Sequence, residues 1–407
     1  MASALSHIRV LELSRILAGP WAGQMLADLG AQIIKVEKPN QGDDTRHWGP
    51  PFLKNQQGEA TTESAYFLSA NRGKQSITVD IRQAQGQSII HQLIASCDVL
   101  IENFKVGSLQ KYHLDYASLA AINPKLIYCS ITGFGQDGPY AQRAGYDFLL
   151  QGMGGLMSVT GEPDHLPGGG PQKVGVALTD ILTGMYATTA IQAAIIEREK
   201  SGLGQHIDLA LLDVQVACLA NQGMNYLVSG DTPKRLGNAH PNIVPYQTFQ
   251  TANGFIILTV GNDSQFADFC EVAQCQSLLQ DPRFSTNQAR VSNREIVIEQ
   301  LTTIIKGKSS DFWLQQLEIK GVPCGPINNI AQVFDNPQIK HRKMVDELIH
   351  PKNGKIPTVA NPINFSRTPI VYHQAPPNLG EHTEDVLTEL LGYDTGVIGK
   401  LRQSKVI

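Results

Sequence analysis

Along the first half of the chain, short apolar runs alternate with stretches of helical period. Ile8-Arg9-Val10-Leu11-Glu12-Leu13 reads as a strand. Gly19-Pro20 then opens a helix, with proline at the first helical position, where its missing N–H costs nothing. Gly30 closes that helix and Gln32-Ile33-Ile34-Lys35-Val36-Glu37 resumes as a strand. Further strands are expected near residues 76–79, 99–103, 126–131 and 205–209, with helices over residues 86–95 and from Asp180 to about Arg198. The latter helix is rich in small residues (Gly184, Ala187, Ala190, Ala194), which suits close packing. Such alternation implies a Rossmann-like, doubly wound parallel sheet with ligands at the carboxyl ends of its strands.

The pattern changes after residue 225. Residues 231–245 carry three prolines and little periodicity and read as a linker. Beyond them come strands near residues 246–251 and 255–260, helices near 264–273, 294–305 and 310–319, and a turn at Pro323-Cys324-Gly325-Pro326. Two helices, near 383–391 and 396–403, end the chain. They need an apolar surface, and the N-terminal sheet has a free side for them. The expected fold is therefore α/β: a discontinuous large domain (residues 1–225 and 332–407) with a smaller α+β domain and its linker (residues 226–331) inserted.

Composition narrows the function classes. A net charge of -4 over 407 residues argues against a nucleic-acid binder or an anionic-membrane binder, and leaves room for a small anionic ligand held by a few local cations. No apolar run approaches a membrane span, and the N-terminus lacks a basic-then-apolar signal pattern. The six cysteines show no Cys-x-x-Cys pair, as expected of free thiols in a reducing cytoplasm. Histidines are scattered, so no metal site is expected.

Gly133-Phe134-Gly135-Gln136-Asp137-Gly138 spells a dinucleotide fingerprint. Pro139 follows it, however, and no clean amphipathic helix begins there, so the segment reads as a loop. Arg15, Lys38, Arg72, Lys74, Arg82, Lys105 and Lys111 fall near expected strand ends. Each alone is ordinarily a solvated rim residue, but their clustering fits a polyphosphate site. Asn103-Phe104 taken alone is turn chemistry, and Asp147 taken alone is a helix-start residue. Asp180 stands where a glycine-rich loop (Gly168-Gly169-Gly170) and a short apolar run give way to a helix. Its spacing fits an N-cap or first-turn role, with Thr179 competing for the cap. The functional alternative is a nucleophile whose neighbouring N–H groups support an oxyanion. Spacing leaves both open.

The ordered blocks together resemble the class III coenzyme A-transferases over nearly the whole chain. They are Leu17-Ala18-Gly19-Pro20, Leu29-Gly30-Ala31 with Ile34-Lys35-Val36-Glu37, Gly42-Asp43-Asp44-Thr45-Arg46, Asn71-Arg72-Gly73-Lys74, Glu102-Asn103-Phe104, Tyr146-Asp147, Thr179-Asp180 with Thr183-Gly184, and Leu379-Gly380-Glu381-His382-Thr383. Trp48-Gly49-Pro50-Pro51-Phe52, Gln142-Arg143-Ala144-Gly145, Ile243-Val244-Pro245-Tyr246-Gln247 and Gly325-Pro326-Ile327-Asn328-Asn329 are most similar to dicarboxylate enzymes of the succinyl-CoA:glutarate type.

The resemblance implies transfer of CoA from an acyl-CoA to a free carboxylic acid through aspartyl-anhydride and aspartyl-CoA intermediates. It implies no cofactor beyond CoA itself, and an interlocked homodimer. Asp180 falls on the catalytic aspartate. Leu17, Ala18, Lys38, Val79, Asp80, Ile81, Arg82, Asn103, Phe104, Lys105 and Lys111 fall on CoA-contacting positions, and Ala144, Gly145, Tyr146 and Asp147 lie nearest the thioester. Tyr146 and N–H groups around the Asp180 turn are the expected oxyanion support, and Arg46 or Arg15 the expected partner of a distal carboxylate. Two departures matter. Gly237-Asn238-Ala239-His240-Pro241-Asn242 replaces the glycine-rich loop of the formyl-CoA enzyme, against formyl or oxalate specificity. Tyr146 stands where the related α-methylacyl-CoA racemases carry a histidine base, so the alternative of a racemase or isomerase lacks one base. The third reading is a non-catalytic acyl-CoA-binding protein.

Overall fold

The computed structural model describes residues 3–55 and 57–407, which divide into two compact units. The first takes the chain up to Gly154, Gly175–Cys218 and Pro337–Ile407; the second takes Gly155–Val174 and Leu219–Asn336.

The first unit is built on six parallel strands: β1 (Arg9–Glu12), β2 (Gln32–Glu37), β3 (Lys74–Thr78), β4 (Val99–Glu102), β5 (Ile127–Thr132) and β6 (His206–Ala210). Their spatial order is β3-β2-β1-β4-β5-β6. Leu11 of β1 lies beside Ile34 of β2 and Leu100 of β4. Its main helices are α1 (Ala18–Asp28), α2 (Ala84–Ile94), α3 (Asp147–Met153), α4 (Leu178–Ser201), α5 (Leu211–Ala217), α6 (Thr383–Leu391) and α7 (Thr395–Gln403).

Apolar residues on both sides of each strand give the sheet two cores. On one face, Val10, Ile33 and Ile127 pack with Ala22 and Leu26 of α1 and Ile191 of α4. On the other, Leu11, Ile34 and Leu100 pack with Ile90 and Leu93 of α2, Leu387 of α6 and Leu401 of α7. Helix α4 meets α1 closely: a Cβ on Gly184 would stand 2.8 Å from the Ala18 carbonyl oxygen. Helix α1 begins at Ala18, so Pro20 is its third residue rather than its first. The N–H that Pro20 lacks is still one of the four without an intrahelical partner, which is why the helix tolerates it.

The strand order reverses between β1 and β4, which opens a crevice at their carboxyl ends. Beneath it lies a network of buried charges. The Lys35 ammonium sits 3.0 Å from Glu12 and 3.0 Å from Asp43, and donates to the Ser14 carbonyl at 2.9 Å. Lys74 reaches the same Glu12 at 2.8 Å. Burial opposes the Lys35 charge, yet Asp43, Glu12 and Glu37 hold its pKa above the ordinary range; burial lowers Lys74 to about 8.

In the second unit, Tyr246–Gln250, Phe255–Thr259 and Cys324–Gly325 form a small antiparallel sheet. It packs with the helices Asp263–Val272, Arg294–Lys306 and Ser310–Ile319 around Phe249, Leu258, Phe269 and Trp313. Cys324-Gly325 was expected as a turn. Instead it pairs with Ile257 and Leu258, because the edge of that strand offers ladder partners to a segment that the flanking prolines hold extended.

Candidate active site

The loop after β1 carries Arg15, Ile16 and Leu17. Ile16 has φ 73, a left-handed conformation that costs a β-branched residue free energy and persists only where its surroundings enforce it. The enforcement is visible. Ile16 N–H donates to both carboxylate oxygens of Asp43, at 3.2 and 3.3 Å, and Asp43 is anchored by Lys35. From the other side, Asn103 Oδ1 accepts from Arg15 N–H at 2.9 Å and Asn103 Nδ2 donates to the Arg15 carbonyl at 2.7 Å. The Asn103 amide is thus spent on the loop. Phe104, whose N–H donates to Glu102, presents its ring to the crevice.

Two clefts open there and share Arg15 and Phe104 on their walls. One, of about 340 Å³, is bordered by Lys38, by Val79, Asp80, Ile81 and Arg82, and by Lys111. Lys38 bonds Gln41, Lys111 lies over the Tyr112 ring, and Arg82 grips Asp80 through two nitrogens at 2.8 Å, holding that carboxyl down at about 2. The other, of about 190 Å³, is bordered by Leu17, Ala18, Asn103, Phe104 and Lys105, by Ala144, Gly145 and Tyr146, and by Asp180. The cation-rimmed cleft suits phosphates. The narrower one leads to a single buried carboxylate.

That carboxylate is not its helix's cap. Helix α4 starts at Leu178, its N-cap is Ala177 with no side-chain bond, and Asp180 is the third residue. Thr179 N–H and Asp180 N–H both donate to Asp147 Oδ1, at 2.8 and 3.3 Å, while Ile181 N–H returns to the Ala177 carbonyl. Asp180 is 9% exposed, and burial, then the charge of Asp147, pushes its carboxyl up to about 7. The expected oxyanion support from this turn is therefore corrected: its N–H groups already have acceptors. Tyr146 remains, 64% exposed at the entrance to α3. The Gly133 and Gly145 backbones approach closely enough that a Cβ on either would stand within 2.9 Å of the other's Cα, fixing the chain just before Tyr146.

Arg46 lies elsewhere. It is 3% exposed, forms a two-nitrogen pair with Glu37 at 2.7 and 2.8 Å, and reaches Glu63 at 2.9 Å, so it has no face for a substrate. Arg72 and Lys74 are also removed from the phosphate set: Arg72 is buried against Asp28 at 2.6 Å and Lys74 against Glu12. Arg15 stays at the cleft, half exposed and paired with the equally exposed Asp44 at 2.6 Å.

The structure adds two residues that the sequence did not single out. Arg143 lines the Asp180 cleft, its guanidinium 4.7 Å from the Tyr140 ring centre. The Tyr66 phenol is raised to about 12 by burial, then by the charges of Asp180, Asp147 and Asp43, and its ring meets Trp48 edge-on at 5.1 Å. Among the described residues, no group of three His, Cys, Asp or Glu could hold a metal ion, and no helix is long and apolar enough to cross a membrane.

A family model for CoA-transferase family III matches residues 5–383. The chain belongs to CoA-transferase family III. It is 54% identical to a succinate–glutarate CoA-transferase of Agrobacterium fabrum over 95% of both chains. It is 44% identical to the human succinyl-CoA:glutarate CoA-transferase, over 99% of this chain and 90% of the other. Among solved structures, a CAIB/BAIF family protein from Brucella suis is 51% identical and superposes with a TM-score of 0.83, covering 96% of this chain and all of that one. The protein is thus a CoA-transferase, and an acyl-CoA is its substrate.

Proposed function

We propose that this family III transferase moves CoA from succinyl-CoA or a close analogue to a dicarboxylate such as glutarate, with Asp180 as nucleophile. The observation that carries the reading is a buried, unusually basic carboxyl at the wall of a cleft that adjoins a cation-rimmed one. The curated relatives named for succinate and glutarate support the choice of acids.

Asp180 attacks the thioester carbonyl; the C–S bond breaks and the thiolate leaves with its electron pair, giving an acyl-aspartyl anhydride. The thiolate attacks the aspartyl carbonyl and releases the first acid as its carboxylate. The acceptor carboxylate then displaces the thiolate from aspartyl-CoA. The thiolate finally attacks the new acyl group, which restores Asp180. No net proton is consumed, so the protein's task is to hold the partners and exclude water. Arg15 is the cation assigned to the distal carboxylate, exchanging its exposed pair with Asp44 for the substrate.

Succinyl-CoA incubated with a panel of acids, with new thioesters read by mass, is expected to yield glutaryl-CoA foremost. Hydroxylamine added during turnover is expected to mark Asp180. An unmodified Asp180 peptide would remove the nucleophile assignment.

We further propose a homodimer. Leu149 and Met153 of α3 and Met185 and Tyr186 of α4 leave large apolar surface exposed in a single chain. Light scattering at assay concentration is expected to give twice the mass of one chain, and a monomer would exclude the assembly.

A further inference from the structure

The N-terminus of α4 is capped from outside its own segment. Asp147, the first residue of α3, gives Oδ1 to Thr179 N–H and Asp180 N–H, and its Oδ2 accepts from Gln151 Nε2 at 2.7 Å. An acid in the first turn ordinarily serves such N–H groups or the positive end of the helix. Here those donors are already satisfied, so the Asp180 carboxylate is left to the cleft it lines.

We propose that Asp147 is a positioning residue for transfer: it holds the first turn of α4 so that Asp180 faces the thioester, and its charge raises the energy of the free nucleophile relative to the acylated one. The proposal rests on Asp180 being the acyl acceptor. The physical basis is a difference between states. In the free enzyme two carboxylates are neighbours, whereas the anhydride and the aspartyl-CoA thioester are both neutral at position 180. Acylation therefore relieves a repulsion, and only interactions that differ between states alter the rate.

Other groups bearing on Asp180 do not supply this effect. Tyr66, from the helix Ala65–Ala70, stays a neutral phenol. Arg15, Lys105 and Arg143 line the same cleft and act in the opposite sense. Helix α1, packed on α4, has no charged residue before Asp28, and α5 adds only the exposed Asp213.

Asp147→Asn separates the two roles, because it keeps an acceptor oxygen for both N–H groups and removes the charge. In that variant the acid limb of kcat/KM is expected to move down by about one pH unit and plateau kcat to fall roughly ten-fold, with Tm lowered only by the lost bond from Gln151 Nε2, whose acceptor oxygen becomes an NH2. Asp147→Ala should lose stability as well as further kcat. An Asn variant with an unmoved limb overturns the proposal, whatever its plateau. Should neither variant fold, carbon-13 titration of the wild-type carboxyls, with Asp180→Asn to assign the signal, decides: an Asp180 carboxyl titrating near 4, the ordinary range, overturns it. Hydroxylamine marking of wild-type Asp180 keeps the two ideas apart. No adduct removes the nucleophile; an adduct with an unmoved limb removes only the role of Asp147.

Discussion

Asp180→Asn is expected to stop CoA transfer, leave acyl-CoA binding intact and raise stability at alkaline pH. Loss of the nucleophile removes both anhydride steps, so turnover should fall by on the order of 10⁴-fold or more, while the cation-rimmed cleft is untouched. The stability change has a definite sign. The folded carboxyl titrates at about 7 and the unfolded one near 3.8, so the native state holds the extra proton between those values. The contribution of Asp180 to wild-type stability therefore falls as pH rises from about 4 to 7. Above pH 7 the buried charge costs about 4 kcal/mol at most. Asparagine escapes that cost, so its Tm advantage should be largest near pH 8 and vanish near pH 4. Activity in the wild type runs the other way, since only the ionised carboxylate attacks: kcat/KM should climb through pH 7. A Tm advantage independent of pH, or residual transfer by the variant, would contradict the assignment.

Arg46→Ala and Arg15→Ala should separate into a folding defect and a substrate defect. Removing Arg46 leaves Glu37 and Glu63 buried without their cation, a loss of about 3–5 kcal/mol. Thermal melts should register it, while the surviving folded enzyme keeps its KM for the acceptor acid. Removing Arg15 breaks only an exposed pair, which contributes about 1 kcal/mol or less. Its Tm should barely move. KM for a dicarboxylate should rise about ten-fold or more, with little change for a monocarboxylate of equal length. Equal losses for both acids would take Arg15 out of acid recognition.

The same pair shows what a sequence exposes and what it hides. The strands of the parallel sheet were readable because continuous apolar runs between glycine breaks have few other solutions. The two arginines were not distinguishable, since the local sequence around neither one names the partner its guanidinium meets in the fold. What separates them is the pair Glu37 and Glu63, nine residues before Arg46 and seventeen beyond it. Asp180 posed the same difficulty. Its spacing fits a cap as well as a reagent, and the residue that decides between them, Asp147, is brought in by the fold from 33 positions away. Tyr66 left no local signal, because its environment is made by Asp180, Asp147 and Asp43 from three other segments. Family resemblance marked Asp180, but the reason its carboxylate is available lies in a hydrogen bond that no motif spells.

The left-handed Ile16 ties one wall of the cleft to the charges under the sheet, through Asp43 and Lys35. The stretch around Arg143 and Ala144 is held instead by the close passage of Gly133 and Gly145, by Arg143 N–H donating to the Tyr140 carbonyl, and by the Arg143 guanidinium over the Tyr140 ring. The two walls therefore differ in how freely they can diverge. A change near Ile16 is expected to disturb the buried charges joined through Asp43, and a change near Arg143 mainly the cleft it lines. A scaffold divided in this way can keep its grip on one invariant carrier while the acids it serves are exchanged.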